Sequence, residues 1–133
     1  MESTLTDKAI LRNYWYAVAR PVDIQAAPSP VRLLGVDYVL WRNADGGVSA
    51  AVDRCPHRES PLSPGVVKNG CIECPYHGWR FNGEGRCTAI PQAQPEQAIS
   101  QRSHCRSYAT ASAQGLLFVF SGDPAAADAT PLP

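Results

Sequence analysis

Two short stretches concentrate the metal-binding side chains of this 133-residue sequence: Cys55-Pro56-His57 and Cys74-Pro75-Tyr76-His77. They use two of the five cysteines and two of the three histidines, and sixteen residues separate His57 from Cys74. Thiolate and imidazole are the soft and borderline donors that zinc and iron take in proteins, so the four residues make a Cys₂His₂ donor set. Two metal chemistries fit it. Structural zinc takes such a set tetrahedrally, but its usual clips pair like with like, two cysteines in one and two histidines in the other. Here each clip mixes a thiol with an imidazole, and Cys-x-His is tight for two ligands on one ion. A cluster of two irons removes that difficulty, because each loop can send its cysteine to one iron and its histidine to the other.

For the clips to meet, the elements that carry them must end side by side. Each clip follows a predicted strand, at 50–53 for the first and 71–73 for the second. Short apolar or alternating runs at 31–34, 38–41, 48–52, 79–81, 105–109 and 116–120 extend this into a series of strands. Gly35-Val36-Asp37, Asn43-Ala44-Asp45-Gly46-Gly47 and Asn82-Gly83-Glu84-Gly85 stand between consecutive strands with the composition hairpins require, which implies antiparallel pairing. One helix-like signal exists at 3–19, where Ile10, Leu11, Tyr14, Trp15 and Val18 share a face. The rival reading, a helical turn at 7–11 followed by a strand at 15–19, is preferred, because aromatic and β-branched residues dominate after Asn13 and Pro21 ends the run. The Gln-rich stretch 92–101 reads as a long surface loop, and the small, proline-punctuated 123–133 as a linker or tail.

A chain of this length buries roughly two thirds of its unfolded surface and needs no disulfide staple. Twelve basic against twelve acidic residues leave no net charge, which sets aside nucleic acid and anionic membranes as partners. The apolar run 116–120 is far short of the roughly 20 residues of a membrane span, and Glu2, Asp7, Lys8 and Arg12 interrupt any signal-peptide core. The expectation is a soluble, cytoplasmic protein. In that reducing setting cysteines beside histidines point to metal or redox chemistry rather than to disulfides.

The motifs Cys55-Pro-His-Arg58 and Cys74-Pro-Tyr-His-Gly-Trp79 resemble those of Rieske [2Fe–2S] domains, most closely the amino-terminal Rieske domain of non-haem iron oxygenases. Asn13-Tyr-Trp-Tyr16, Gly85-Arg-Cys-Thr-Ala-Ile-Pro91, Gly115-Leu-Leu-Phe-Val-Phe120 and Gly122-Asp-Pro124 add to the likeness, which spans about residues 11–124. The resemblance implies an all-β stack of antiparallel sheets with a small cluster-binding subdomain at about 54–82. It also implies a Rieske domain at 1–122, with 123–133 leading toward a catalytic domain. By the same resemblance Cys55 and Cys74 bind the inner iron of the cluster, and His57 and His77 the outer one. Where the family usually has Gly after the first motif this chain has Glu59.

High-potential Rieske proteins tie their two loops with a disulfide; this sequence has Arg58, Glu59 and Ser60 in the first position and Tyr76 in the second, so the tie is absent. Trp79 stands where that type has a hydroxyl donor to a bridging sulfide. Both features place the potential at the low end of a range of roughly −150 to +300 mV. Three functional readings follow. The first is electron transfer from a reductase or ferredoxin to the mononuclear non-haem iron domain of an aromatic-ring-hydroxylating or demethylating oxygenase. The others are a free-standing Rieske ferredoxin and a zinc-stabilised binding module. The chain has no second iron site of its own, since only His104 remains beyond the four ligands. Cys71, Cys87 and Cys105 are expected as buried thiols, His104 as a surface or hydrogen-bonded loop residue, and Trp15, Trp41, Phe118 and Phe120 as core. Trp79 either fills the core or faces a partner. Residues 54–86 carry Arg54, Arg58, Lys68, Arg80 and Arg86 against Glu59, Glu73 and Glu84, a mildly positive docking face around the loop tips.

Overall fold

The structure, a computed structural model, describes residues 13–56, 60–92, 99 and 103–133. In these the chain forms β1 (Trp15–Ala19), β2 (Ser29–Leu33), β3 (Val36–Arg42), β4 (Val48–Val52), β5 (Val66–Lys68), β6 (Cys71–Glu73), β7 (Arg80–Phe81), β8 (Cys87–Ala89), β9 (Ser107–Tyr108), β10 (Thr110–Ala113) and β11 (Leu116–Phe120). They make three antiparallel sheets, ordered β1-β11-β10, β2-β3-β4-β9 and β5-β6-β7-β8. Two short 3-10 helices, Pro21–Asp23 and Pro124–Ala129, complete the described elements. The all-β stack implied by the resemblance is the observed architecture.

Strand β3 explains how the sheets stack. Tyr38, Val39, Leu40 and Trp41 are all buried, a run that a strand covered on one face alone cannot satisfy, because successive side chains point to opposite faces. Tyr38 and Leu40 join Val48 and Ala50 of β4 against Leu117 and Val119 of β11, forming the core between the first two sheets. Val39, Trp41 and Ala51 face the other way, into a second core with Cys55, Leu62, Ile72, Cys74, Phe81, Cys87 and Cys105. The central sheet is thus the partition between a structural core and the core that contains the cysteines. The third sheet covers that second face and extends to Ala89, past the expected end of the subdomain at 82.

Three tight turns are of the Xaa-Gly kind with both residues at positive φ: Leu34-Gly35, Asn69-Gly70 and Gln114-Gly115. This is the geometry that matches the twist of hairpin strands. The sequence reading placed the first of these turns one residue late; Val36 and Asp37 already belong to β3, paired with Leu33 and Arg32. It also merged residues 105–109 into one strand, whereas β9 covers only Ser107–Tyr108 and β10 follows at once on another sheet. Trp79 precedes β7 rather than opening it. Strands β1, β4, β6 and β11 stand where expected. The helical turn at 7–11 and most of the Gln-rich loop fall outside the described residues.

Two contacts fasten the third sheet to the partition. The Trp41 indole N–H donates to the Gly70 carbonyl at 3.0 Å, so the buried ring reaches from β3 to the β5–β6 turn. At that turn Gly70 sits at φ +81°, and a Cβ there would stand 2.2 Å from the Ala44 backbone nitrogen in the β3–β4 turn. At the other end Trp15 is half-buried rather than core, its ring 5.2 Å from Phe120 and its N–H bonded to the Thr130 carbonyl at 2.8 Å. Together with burial of Ala127, this seats residues 124–130 on the first sheet. Gly70→Ala is expected to lower stability by about 2 kcal/mol or more, since it adds backbone strain to a backbone clash. Thermal denaturation should register a melting temperature roughly 5–10 °C lower.

Candidate metal centre

The first loop leaves β4 through Asp53 and Arg54. Asp53 Oδ1 accepts the backbone N–H of Leu62 at 2.6 Å and of Ser63 at 2.8 Å, and the Cys55 N–H donates to the Ser60 carbonyl at 2.7 Å. These bonds pinch the loop at its base so that Cys55 points inward; it is fully buried. His57, Arg58 and Glu59 lie outside the described residues.

The second loop follows β6 directly. The Cys74 N–H donates to the Trp79 carbonyl at 2.8 Å and the Gly78 N–H to the Cys74 carbonyl at 3.1 Å, a closed turn in which Gly78 adopts φ +74°. Gln92 braces it from outside: its Nε2 donates to the His77 carbonyl at 2.8 Å, and its Oε1 accepts the Trp79 indole N–H at 3.2 Å. Beneath the loop, Glu73 is held by Arg80 at 2.9 Å and Lys68 at 3.7 Å. Trp79 is half-buried and packs on the cysteine-containing core, leaving part of its surface exposed.

The outcome is a polarity gradient across the site. Cys55 and Cys74 are 0% and 2% exposed, while Pro75, Tyr76 and His77 are exposed at the loop tip. Among the described residues no group of three or more His, Cys, Asp or Glu gathers on one point. Of the candidate donors that are described, the two thiols of Cys55 and Cys74 are buried and the imidazole of His77 is exposed. Thiols within and an imidazole at the surface fit a cluster of two irons, in which the two donor types go to different irons.

The remaining thiols are not part of that pair. Cys87 and Cys105 are buried, as expected, and burial raises both thiols, Cys105 to about 12, with charge on Cys55 and Cys87 adding to the effect on Cys105. Cys105 Sγ–H donates to the Gly85 carbonyl at 3.5 Å and Cys87 Sγ–H to the Ala89 carbonyl at 3.7 Å, so both are neutral donors and not thiolates. Cys71 is half-buried rather than core. His104 is the hydrogen-bonded loop residue anticipated: its Nδ1 accepts the Cys87 N–H at 2.8 Å. The roles of Asp53 and Gln92 were not read from the sequence. An Asp two residues before a candidate ligand is a signal for a loop-closing side chain, but Gln92 acts across fifteen residues and only the folded chain reveals it.

The Rieske [2Fe–2S] domain model matches residues 14–111. The chain is 45% identical over 125 residues to a 4beta-methylsterol monooxygenase of Methylococcus capsulatus, covering 91% of this chain and 33% of that protein. It is 37% identical over 123 residues to the oxygenase component of dicamba O-demethylase from Stenotrophomonas maltophilia, covering 92% and 36%. The crystal structure of dicamba monooxygenase bound to 3,6-dichlorosalicylic acid superimposes with a TM-score of 0.83 at 38% identity, over 90% of this chain and 34% of that one. Pseudomonas putida CBB5 NdmA gives a TM-score of 0.85 at 28% identity, over 96% and 39%. The chain thus spans about a third of the length of these relatives. With buried thiols within and an exposed imidazole without, and with this match across its sheets, the chain belongs to the Rieske [2Fe–2S] domain family, takes a Rieske-type [2Fe–2S] cluster, and has Rieske non-haem iron oxygenases as its relatives.

Proposed function

We propose that this chain relays electrons from a reductase or ferredoxin to the mononuclear non-haem iron domain of an oxygenase, with Cys55 and Cys74 on the inner iron and His57 and His77 on the outer one. The observation that carries this reading is the opposite burial of the two described ligand types, thiols inside and His77 at the exposed tip. The bound cluster supplies one-electron oxidation and reduction. The chain's own residues do the rest. Two neutral imidazoles in place of two thiolates lower the negative charge that a further electron must meet, and so raise the potential above that of an all-cysteine site. The exposed His77 carries its ring to the surface, where a partner can approach closely, beside the 64% exposed Tyr76. Residues 54–86 carry five basic against three acidic side chains, a net positive bias that favours a partner presenting carboxylates.

The oxygenase names among the relatives support a ring-hydroxylating or demethylating enzyme as the electron acceptor, and the missing inter-loop disulfide supports a low potential. Residues 1–122 serve as the Rieske unit and 123–133 as its connection toward the catalytic domain. No disulfide joins any of the five cysteines, which is consistent with a cytoplasmic setting, and no helix among the described residues is long and apolar enough to cross a membrane.

Cys55→Ser and Cys74→Ser are each expected to abolish the cluster and to loosen residues 54–82, since the irons tie together two loops with little apolar area of their own. Assays of iron and acid-labile sulfide with the visible spectrum check this, and a normal spectrum from Cys55→Ser overturns the ligand assignment. The midpoint potential is expected below about 0 mV, in the lower part of the Rieske range, and nearly flat around pH 7; protein-film voltammetry measures it, and a value near +300 mV contradicts the reading. Arg58→Glu is expected to slow oxidation of the reduced chain by an added catalytic partner several-fold while leaving the spectrum intact. Stopped-flow rates unchanged by that substitution exclude the docking face.

A further inference from the structure

Gln92 lies outside both clips, yet its side chain joins the two ends of the second one. The Cys74 N–H donates to the Trp79 carbonyl at 2.8 Å, and the Gly78 N–H to the Cys74 carbonyl at 3.1 Å. Trp79 in turn donates its indole N–H to Gln92 Oε1 at 3.2 Å, and Gln92 Nε2 donates to the His77 carbonyl at 2.8 Å. These bonds close a ring that runs from buried Cys74 through Trp79 and Gln92 to exposed His77. Trp79 packs on the cysteine-containing core, so the ring is anchored on its inner side. The residue before Gln92 presses on the same loop: a Cβ at Gly78, where φ is +74°, would stand 3.3 Å from Pro91 Cγ. A carboxamide meets both demands in one orientation only, because the His77 carbonyl takes a donor and the indole N–H takes an acceptor.

We propose that Gln92 is a positioning residue for electron transfer: it fixes the main chain of His77 relative to Cys74, and so fixes where the exposed imidazole meets its metal. This rests on the reading that Cys74 and His77 are cluster ligands on different irons. Pro75 and Tyr76, which separate the two donors, are exposed, so packing contributes little to holding that stretch and a side-chain brace contributes more. Gln92 supplies it from a neighbouring segment, just past β8, without occupying a donor. A ligand whose support is lost samples a range of positions, so the iron it binds meets a spread of geometries and the loop rearranges further when an electron arrives. The brace therefore acts on the definition of the histidine side of the cluster and on the speed of electron exchange, not on whether the cluster binds.

The test compares Gln92→Met and Gln92→Glu with the unmodified holo-protein. Met fills similar space without either hydrogen bond; Glu keeps an acceptor for Trp79 but loses the donor for His77. Iron and labile sulfide are counted first. Pulsed EPR of the reduced cluster then reads the nitrogen couplings, one from each ligand imidazole, and protein-film voltammetry reads the rate of electron exchange with the electrode. The wild type should show two sharp couplings. Both variants should retain full iron and sulfide, broaden one coupling while the other stays sharp, and exchange electrons several-fold more slowly. Gln92 is exposed, so neither substitution disturbs a core; if Gln92→Met does not accumulate as folded protein, Gln92→Glu carries the test by itself. Unchanged couplings and rate in the variants, equal broadening of both couplings, or a Gln92→Glu protein that matches the wild type overturns the inference and leaves the ligand assignment standing. A wild type with iron and sulfide but fewer than two imidazole couplings, or with no cluster at all, overturns the assignment itself and the inference with it.

Discussion

The central sheet must be covered on both faces, and most of the molecule follows from that constraint. Tyr38 and Leu40 on one side of β3 and Val39 and Trp41 on the other cannot be satisfied by one packed layer, because the pleat turns neighbours to opposite faces. One layer is supplied by β11, whose Leu117 and Val119 close a conventional apolar core. The other is supplied by a sheet of short strands whose inward residues are few: Ile72, Phe81 and the cysteines. A layer so thin has a small apolar area, so its stability depends on the polar staples described above. Under the proposed ligand assignment the irons add to those staples, which couples cluster binding to folding in the same residues.

The staples share a chemical style. Asp53, Gln92, His104 and Arg42 each use a side chain to satisfy backbone groups that short strands and long loops leave unpaired. Arg42 is the extreme case: its guanidinium donates to the carbonyls of Ile24, Gly46 and Pro21, tying the first 3-10 helix to the β3–β4 turn. Loops that must hold a metal at a fixed position cannot rely on regular hydrogen-bond ladders, and side-chain caps provide the rigidity instead.

The direction of the donors follows from the same build. In the second loop the cysteine that continues the inward face of a strand end remains in the core, while the histidine three residues later has passed the turn and reached the tip. Cys74 comes straight after β6 and is buried; His77, past Pro75 and Tyr76, is exposed. An electron carrier benefits from both ends of this gradient. Under the proposed assignment the dry end limits water near the thiolates, and the wet end brings one metal within reach of a partner.

The sequence alone determined the class of fold and supplied the candidate donor set. Both are local properties: ligand types at fixed spacing, alternation along single strands, and Asn-Asp-Gly clusters between them, as at Asn43–Gly47 and Asn82–Gly85. Strands with strong patterns of their own, 48–52 and 116–120, were legible to the residue. Strands β5, β8 and β9 were missed or misdrawn, since two or three residues carry no periodicity and exist only because a neighbour pairs with them. Tertiary structure decided which face of β3 meets the cysteines, that Trp41 reaches Gly70, that Gln92 braces the second loop, and that His104 accepts the Cys87 N–H. Each of these joins residues from fifteen to twenty-nine positions apart, or from separate sheets, and a contact of that kind has no signature in the chain until burial of the two cores brings its partners together.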